Sequence, residues 1–134
     1  QLNHLEVCDF RNVTLADIDL SPGINLLVGE NGAGKTAILE AVFLLARGRS
    51  FRTTHSKQLI RHNAPELIVR GEVECAQLVH RLARAKSRSG ETRARIDGEA
   101  ALKMPVAQLV ERTPDKGEVG SSNLPRPTIP NKWG

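Results

Sequence analysis

One segment of this chain has residue types and spacing that could do chemistry on a phosphate: Gly29-Glu30-Asn31-Gly32-Ala33-Gly34-Lys35-Thr36. It satisfies the pattern G-x-x-x-x-G-K-[ST]. Gly29, Gly32 and Gly34 permit positive φ and close backbone approach, so successive N–H groups can converge on phosphate oxygens. The Lys35 ammonium can reach the outer phosphates of a nucleoside triphosphate, and the Thr36 hydroxyl is a ligand type for Mg²⁺. A nucleotide and Mg²⁺ are therefore the expected ligands, held by Gly29, Glu30, Asn31, Gly32, Ala33, Gly34, Lys35 and Thr36. Thr36 would be the metal ligand.

Such a loop works only between a buried strand and the positive end of a helix. Both are predicted here. Ile24 to Val28 is short, mostly apolar and followed by glycines, which reads as a strand buried on both faces. Lys35 to Arg47 reads as a helix with Ile38, Leu39, Val42, Leu45 and Ala46 on one face, and Gly48 stops it. Upstream, His4 to Phe10 and Val13 to Leu20 form a hairpin-like pair through Phe10-Arg11-Asn12. Arg49 to Asn63 reads as an exposed loop with one helical turn at Ser56 to Ile60. Beyond it, Leu67–Glu74, Leu78–Ala85 and Arg93–Ile96 are alternating strands, with a link near Ala76 and a turn at Asp97-Gly98.

Turnover of a nucleotide needs more than a cradle. An acid ending a second apolar strand must hold Mg²⁺, and another group must order the attacking water. No run of four apolar residues after residue 36 is followed by Asp or Glu, since Leu67-Ile68-Val69 leads into Arg70 and Arg95-Ile96-Asp97 is too polar. No catalytic residue is assigned, and whether the chain is an enzyme stays open.

The 134 residues are 40% apolar and 25% charged with net charge +4, an ordinary composition for a folded domain. No stretch approaches the roughly 18–20 apolar residues of a membrane span, and no apolar leader opens the chain as written. Two cysteines, Cys8 and Cys75, make neither a disulfide framework nor a metal set, which suits buried reduced thiols and a cytoplasmic protein. The charge is segregated: residues 1–46 carry net −4, residues 47–104 net +7 and residues 105–134 net +1. A basic middle suggests a polyanion partner, with a solvated arginine-rich sheet face as the alternative.

Leu5-x-Val7-x-Asp9-Phe10-Arg11-Asn12, the loop Gly29–Thr36, Ile38-Leu39-Glu40-Ala41 and Gly48-Arg49-Ser50-Phe51-Arg52 together resemble the RecF family of bacterial recombination and repair proteins. That family is similar to the ATP-binding-cassette and SMC-type ATPases. The resemblance runs through about residue 104, ending at Arg95-Ile96-Asp97-Gly98 and Met104-Pro105. It implies an α/β P-loop NTPase fold, here an incomplete ABC/SMC-type nucleotide-binding lobe over residues 1–104. It also implies ATP and DNA binding, an ATP-dependent homodimer, other recombination mediators as partners, a link to the SOS response, and help in loading recombinase at single-stranded gaps. Phe10-Arg11-Asn12 would lie near the nucleotide base, adding Arg11 and Asn12 to the cofactor site. Arg49 and Arg52 are candidates for phosphate contacts of ATP or of DNA, and with Lys57 and Arg61 make the candidate DNA patch. The family's signature motif, acidic strand end and switch histidine have no counterpart here. Two other readings stay open: a non-catalytic remnant, and a different SMC-like ATPase, for which Gly48–Arg52 discriminates.

Residues 105–134 depart from that pattern and read as a disordered tail with five prolines. One permitted codon choice for residues 106–124 contains, in order and in one frame, stems matching the D, anticodon and T arms of an isoleucine tRNA gene. The tail thus resembles a translated tRNA gene. A lobe of this kind is also expected to leave an unpaired edge and an exposed apolar face.

Overall fold

The computed structural model describes residues 1–101; the tail and its tRNA-like reading lie outside them. Six antiparallel strands form one sheet in the order β2-β1-β3-β4-β5-β6. They are β1 (Leu2–Phe10), β2 (Val13–Asp19), β3 (Glu66–Cys75), β4 (Leu78–Ser87), β5 (Thr92–Ile96) and β6 (Glu99–Ala100). Two of the hairpins turn through consecutive left-handed residues, Ala76-Gln77 and Asp97-Gly98, the geometry that matches strand twist. One helix, α1 (Lys35–Arg47), packs on one face of this sheet, and a single 3-10 turn follows at Ser56–Gln58.

The period-2 pattern of the strands turns Leu5, Val7, Leu67, Val69 and Leu82 toward α1, where they are buried against Ala41, Leu44 and Leu45. Each such aliphatic side chain contributes roughly 1.5–3 kcal/mol when taken out of water. The helix lies close on the sheet at Gly71, where a Cβ would stand 2.6 Å from Leu45 Cδ2 and 3.2 Å from the His4 carbonyl oxygen. At its far end the Gly48 N–H donates to the Leu44 carbonyl at 2.8 Å. Buried Arg84 on β4 donates from Nε to the Leu45 carbonyl at 2.9 Å, a cation at the negative end of the helix dipole.

Three expectations need correction. Ile24 to Val28 is not a strand: Ile24, Leu26 and Val28 are 95%, 85% and 79% exposed. Hydropathy shows that a segment can be buried, but among the described residues no strand pairs with this one. It is the exposed apolar face anticipated for an incomplete lobe. The buried stripe of α1 is Ala37, Glu40, Ala41, Leu44 and Leu45 rather than the expected face, and Leu39 is exposed. That stripe has the i, i+3, i+4, i+7, i+8 spacing of a helix face, hidden in the sequence because one of its members is an acid. Finally, the loop after α1 is not wholly exposed, since Leu59 and Ile60 are buried in the core. Phe10 bridges to Ile60, and the Arg11 and Arg61 N–H groups donate to the Leu59 and Asp9 carbonyls. Cys8 and Cys75 are free and only half-buried. Burial, then the Glu6 carboxylate at 3.5 Å, pushes the Cys8 thiol up from its ordinary value. No helix among the described residues is long and apolar enough to cross a membrane.

On the face away from α1, His4 joins β1 to β2. Its Nδ1 lies 2.7 Å from Asp19 and its Nε2 3.1 Å from Asp17. The hydrogen bond to Asp19 raises the imidazole above its ordinary 6.5; burial opposes this, and the charges of Asp17, Asp19 and Glu72 add to it. A group whose pKa is raised by folding stabilises the fold fully below its unfolded value and loses that contribution as pH rises through the folded value. The melting temperature of the chain should therefore fall as pH goes from about 6 to about 8, and a His4→Asn variant should show a flatter profile. Parallel profiles for the two proteins would refute the role of His4.

Candidate functional site

The loop 29–36 enters α1 through Gly34, whose φ is +108°. A Cβ there would lie 2.9 Å from Val13 Cγ2, so both the backbone conformation and the space demand glycine. The Ile38 N–H donates to the Gly34 carbonyl at 2.9 Å, which leaves the preceding N–H groups of the first turn aimed outward. Asn12, in the β1–β2 turn, donates from Nδ2 to the Gly32 carbonyl at 2.7 Å and so ties the crest of the loop to the sheet. Lys35 folds back inside the loop, donating from Nζ to the Gly29 carbonyl and, at 2.9 Å, to the Glu30 carbonyl.

Arg11, Asn12, Asn31, Gly32, Gly34, Lys35, Thr36, Ala37 and Arg52 line an open cleft of about 250 Å³ in front of the helix N-terminus. Three cations and no carboxylate border it, which suits a polyphosphate. Most of the expected cofactor residues are thus brought together, with Gly29, Glu30 and Ala33 forming the loop behind the lining. Arg52 joins them. The other three candidates for DNA are elsewhere: Arg49 and Lys57 are exposed, while Arg61 is 3.8 Å from Asp9 and borders a neighbouring open cavity with Arg11, Asn12, His62 and Asn63. Among the described residues no group of three or more His, Cys, Asp or Glu side chains could hold a metal, so Thr36, exposed at the start of α1, offers a single ligand.

Glu40, one turn further along α1, was not legible as part of the site. It is fully buried. Arg11 donates to both its oxygens, from Nε to Oε2 and from Nη2 to Oε1 at 2.8 Å. Ser50 donates its hydroxyl to Oε1, and Arg52 Nη1 stands 3.7 Å from Oε2. Burial alone would raise the Glu40 carboxyl, but the hydrogen bonds from Arg11 and Ser50 and the charges of Arg11 and Arg52 outweigh it and hold it below its ordinary value. A lone acid on an otherwise apolar helix stripe was the available signal.

The fold and cleft define a nucleotide-binding lobe of the ATPase-head type, and comparison with known proteins agrees. Residues 1–114 match the family described as the RecF/RecN/SMC N terminal domain, and the chain belongs to that family. Its relatives include the DNA replication and repair protein RecF of Pectobacterium atrosepticum, 41% identical over 113 residues that make up 84% of this chain and 31% of the relative. The RecF of Yersinia pseudotuberculosis is 42% identical over the same shares. The chain thus spans 31% of the length of these curated relatives. Among solved structures, that of the recombination mediator protein RecF with ATPrS, in the RecFOR pathway, is similar with TM-score 0.72 at 28% identity, over 76% of this chain and 28% of that one. An SMC ATPase structure concerned with ATP-driven dimerization shares the fold, with TM-score 0.70 at 20% identity, over 82% of this chain and 75% of that one.

Proposed function

We propose that this chain binds Mg²⁺-ATP through Gly29–Thr36, with Arg11, Asn12 and Arg52, as the nucleotide-binding lobe of a RecF-type recombination and repair protein. The convergence of Lys35, Arg11 and Arg52 on one cleft at a helix N-terminus carries this reading. Bound triphosphate would take the place of the Gly29 and Glu30 carbonyls at the Lys35 ammonium, and Thr36 would supply one oxygen to Mg²⁺. RecF structures with ATP and with ATPrS support the choice of nucleotide. Titration of Mg²⁺-ATP into the Lys35→Ala variant should show binding at least about 100-fold weaker, since a charge-assisted contact to phosphate is lost from a partly desolvated site. Undiminished affinity would mean that the loop is not the site.

The chain alone is proposed not to turn ATP over. Asp97, the acid that follows β5, is engaged by His80 Nδ1 at 2.8 Å and by the Arg81 N–H at 2.8 Å, and so is not presented to a metal. Completion by an ATP-dependent second copy, a cytoplasmic location and an SOS-linked role in recombinase loading belong to the same reading, as does a lobe boundary near residue 104.

A DNA contact is the second part of the proposal, now divided between residues. Several arginines of the basic middle are spent on the sheet, as Arg70 pairs with Glu6, Arg81 with Glu72 and Arg93 with Glu66. Exposed Arg49 and Lys57 are left as the better phosphate contacts, with Arg61 beside them in sequence, and Arg52 goes to the nucleotide. Changing Arg49 and Lys57 together to Ala should flatten the slope of log affinity against log salt for duplex DNA by up to about two units, uniformly across sequences. Arg52→Ala should instead weaken ATP binding and leave that slope alone; the reverse pattern would return Arg52 to the DNA patch.

A further inference from the structure

We propose that Glu40 is a positioning residue for nucleotide binding, whose buried carboxylate holds Arg11 and, through Ser50, the Ser50–Thr53 loop, so that Arg52 stands over the phosphate cleft. The proposal rests on the ATP reading above and adds a residue that does not itself line the cleft. Its basis is connectivity. Glu40 sits on the helix that begins with Lys35 and Thr36, and its two oxygens receive the Arg11 fork from the β1–β2 turn. The Ser50 hydroxyl donates its proton to Glu40 and accepts the Arg52 and Thr53 N–H groups at 2.8 and 3.1 Å, which uses its one donor and both lone pairs. One carboxylate therefore locks the turn before the phosphate loop and the loop after its helix to a single rigid element. The two arginines so held both border the cleft. Their geometry is not equal: Arg11 is forked on Glu40, whereas Arg52 stands off at 3.7 Å with its side chain 45% exposed and is free to turn toward an anion.

Charge alone and positioning give opposite signs. Removing a negative charge behind the cleft would strengthen its attraction for phosphate, whereas releasing the loop would misplace Arg52 and weaken binding. We expect Glu40→Gln to bind Mg²⁺-ATP about tenfold more weakly, the order of effect of a displaced binding group. With Arg52→Ala, the double variant should lose less than the product of the single losses, because Glu40 acts partly through Arg52. Hydrogen exchange of the Arg52 and Thr53 amides in the free chain should accelerate in Glu40→Gln. Ser50→Ala, which leaves the Glu40–Arg11 pair intact, should release the same two amides and also weaken ATP binding, so the test does not depend on the folding of Glu40→Gln. Lys35→Ala should abolish ATP binding with those amides still protected. Unchanged or tighter ATP binding in both Glu40→Gln and Ser50→Ala, or strictly multiplicative losses, would overturn the positioning role. Absence of ATP binding by the unaltered chain would overturn the nucleotide reading itself, and it would show in the first titration.

Discussion

A Glu40→Ala substitution should lower the melting temperature of the chain by at least about 10 °C. The carboxylate is fully buried, and its principal partner, the Arg11 side chain, is only 21% exposed. Truncating Glu40 leaves that guanidinium without its counter-charge beneath the loop after α1 and opens space under the helix. Removing one member of a buried pair costs about 3–5 kcal/mol, because the remaining charge is uncompensated. Partial exposure of Arg11 places the cost near the lower end, and the Arg52 contact, long and half-exposed, adds little. For a domain of this size about 3 kcal/mol corresponds to a shift of well over 10 °C. Glu91, whose side chain is mostly exposed and 3.8 Å from Arg93, serves as the comparison: Glu91→Ala should stay within about 0.5 kcal/mol of the unaltered chain. Adding Arg11→Ala to Glu40→Ala should cost less than the sum of the two single changes. Equal melting temperatures for Glu40→Ala and Glu91→Ala would show that the buried pair contributes nothing.

Gly34→Ala should abolish measurable nucleotide binding and destabilise the fold. At φ +108° a Cβ meets local strain of about 1–3 kcal/mol. It would also lie 2.9 Å from Val13 Cγ2, a distance that requires something to move. Val13 opens β2 and packs against the core, so the loop is the part that yields. That displacement turns the first-turn N–H groups and Lys35 away from where phosphate oxygens would sit, and an ångström of misplacement costs on the order of 100-fold. Gly32→Ala separates strain from clash: its φ is +86°, but nothing lies within 4 Å of an added Cβ. It should lose less stability than Gly34→Ala. Calorimetric titration with Mg²⁺-ATP alongside thermal melts gives both readouts, and Gly34→Ala binding as tightly as the unaltered chain would contradict this account of the loop.

Local chemistry by itself determined the glycine-rich turn into a helix, the helix Lys35–Arg47 with its glycine at each end, and the alternating strands to within a few residues. These features depend on neighbours in sequence: glycine torsions, a 3.6-residue or two-residue period, and turn chemistry. Tertiary structure decided three others. The apolar segment Ile24 to Val28 has the pattern of a buried strand, yet burial requires a partner strand, and none of the described residues supplies it. The inward face of α1 includes Glu40, whose buried charge is met by Arg11, 29 residues earlier, and by Ser50, ten residues later. Arg52 could equally have faced solvent and DNA until the Ser50 hydroxyl, anchored on Glu40, fixed its backbone beside the cleft. In each case the outcome depends on which distant group meets a side chain or strand, and hydropathy and spacing along the chain carry no record of that meeting.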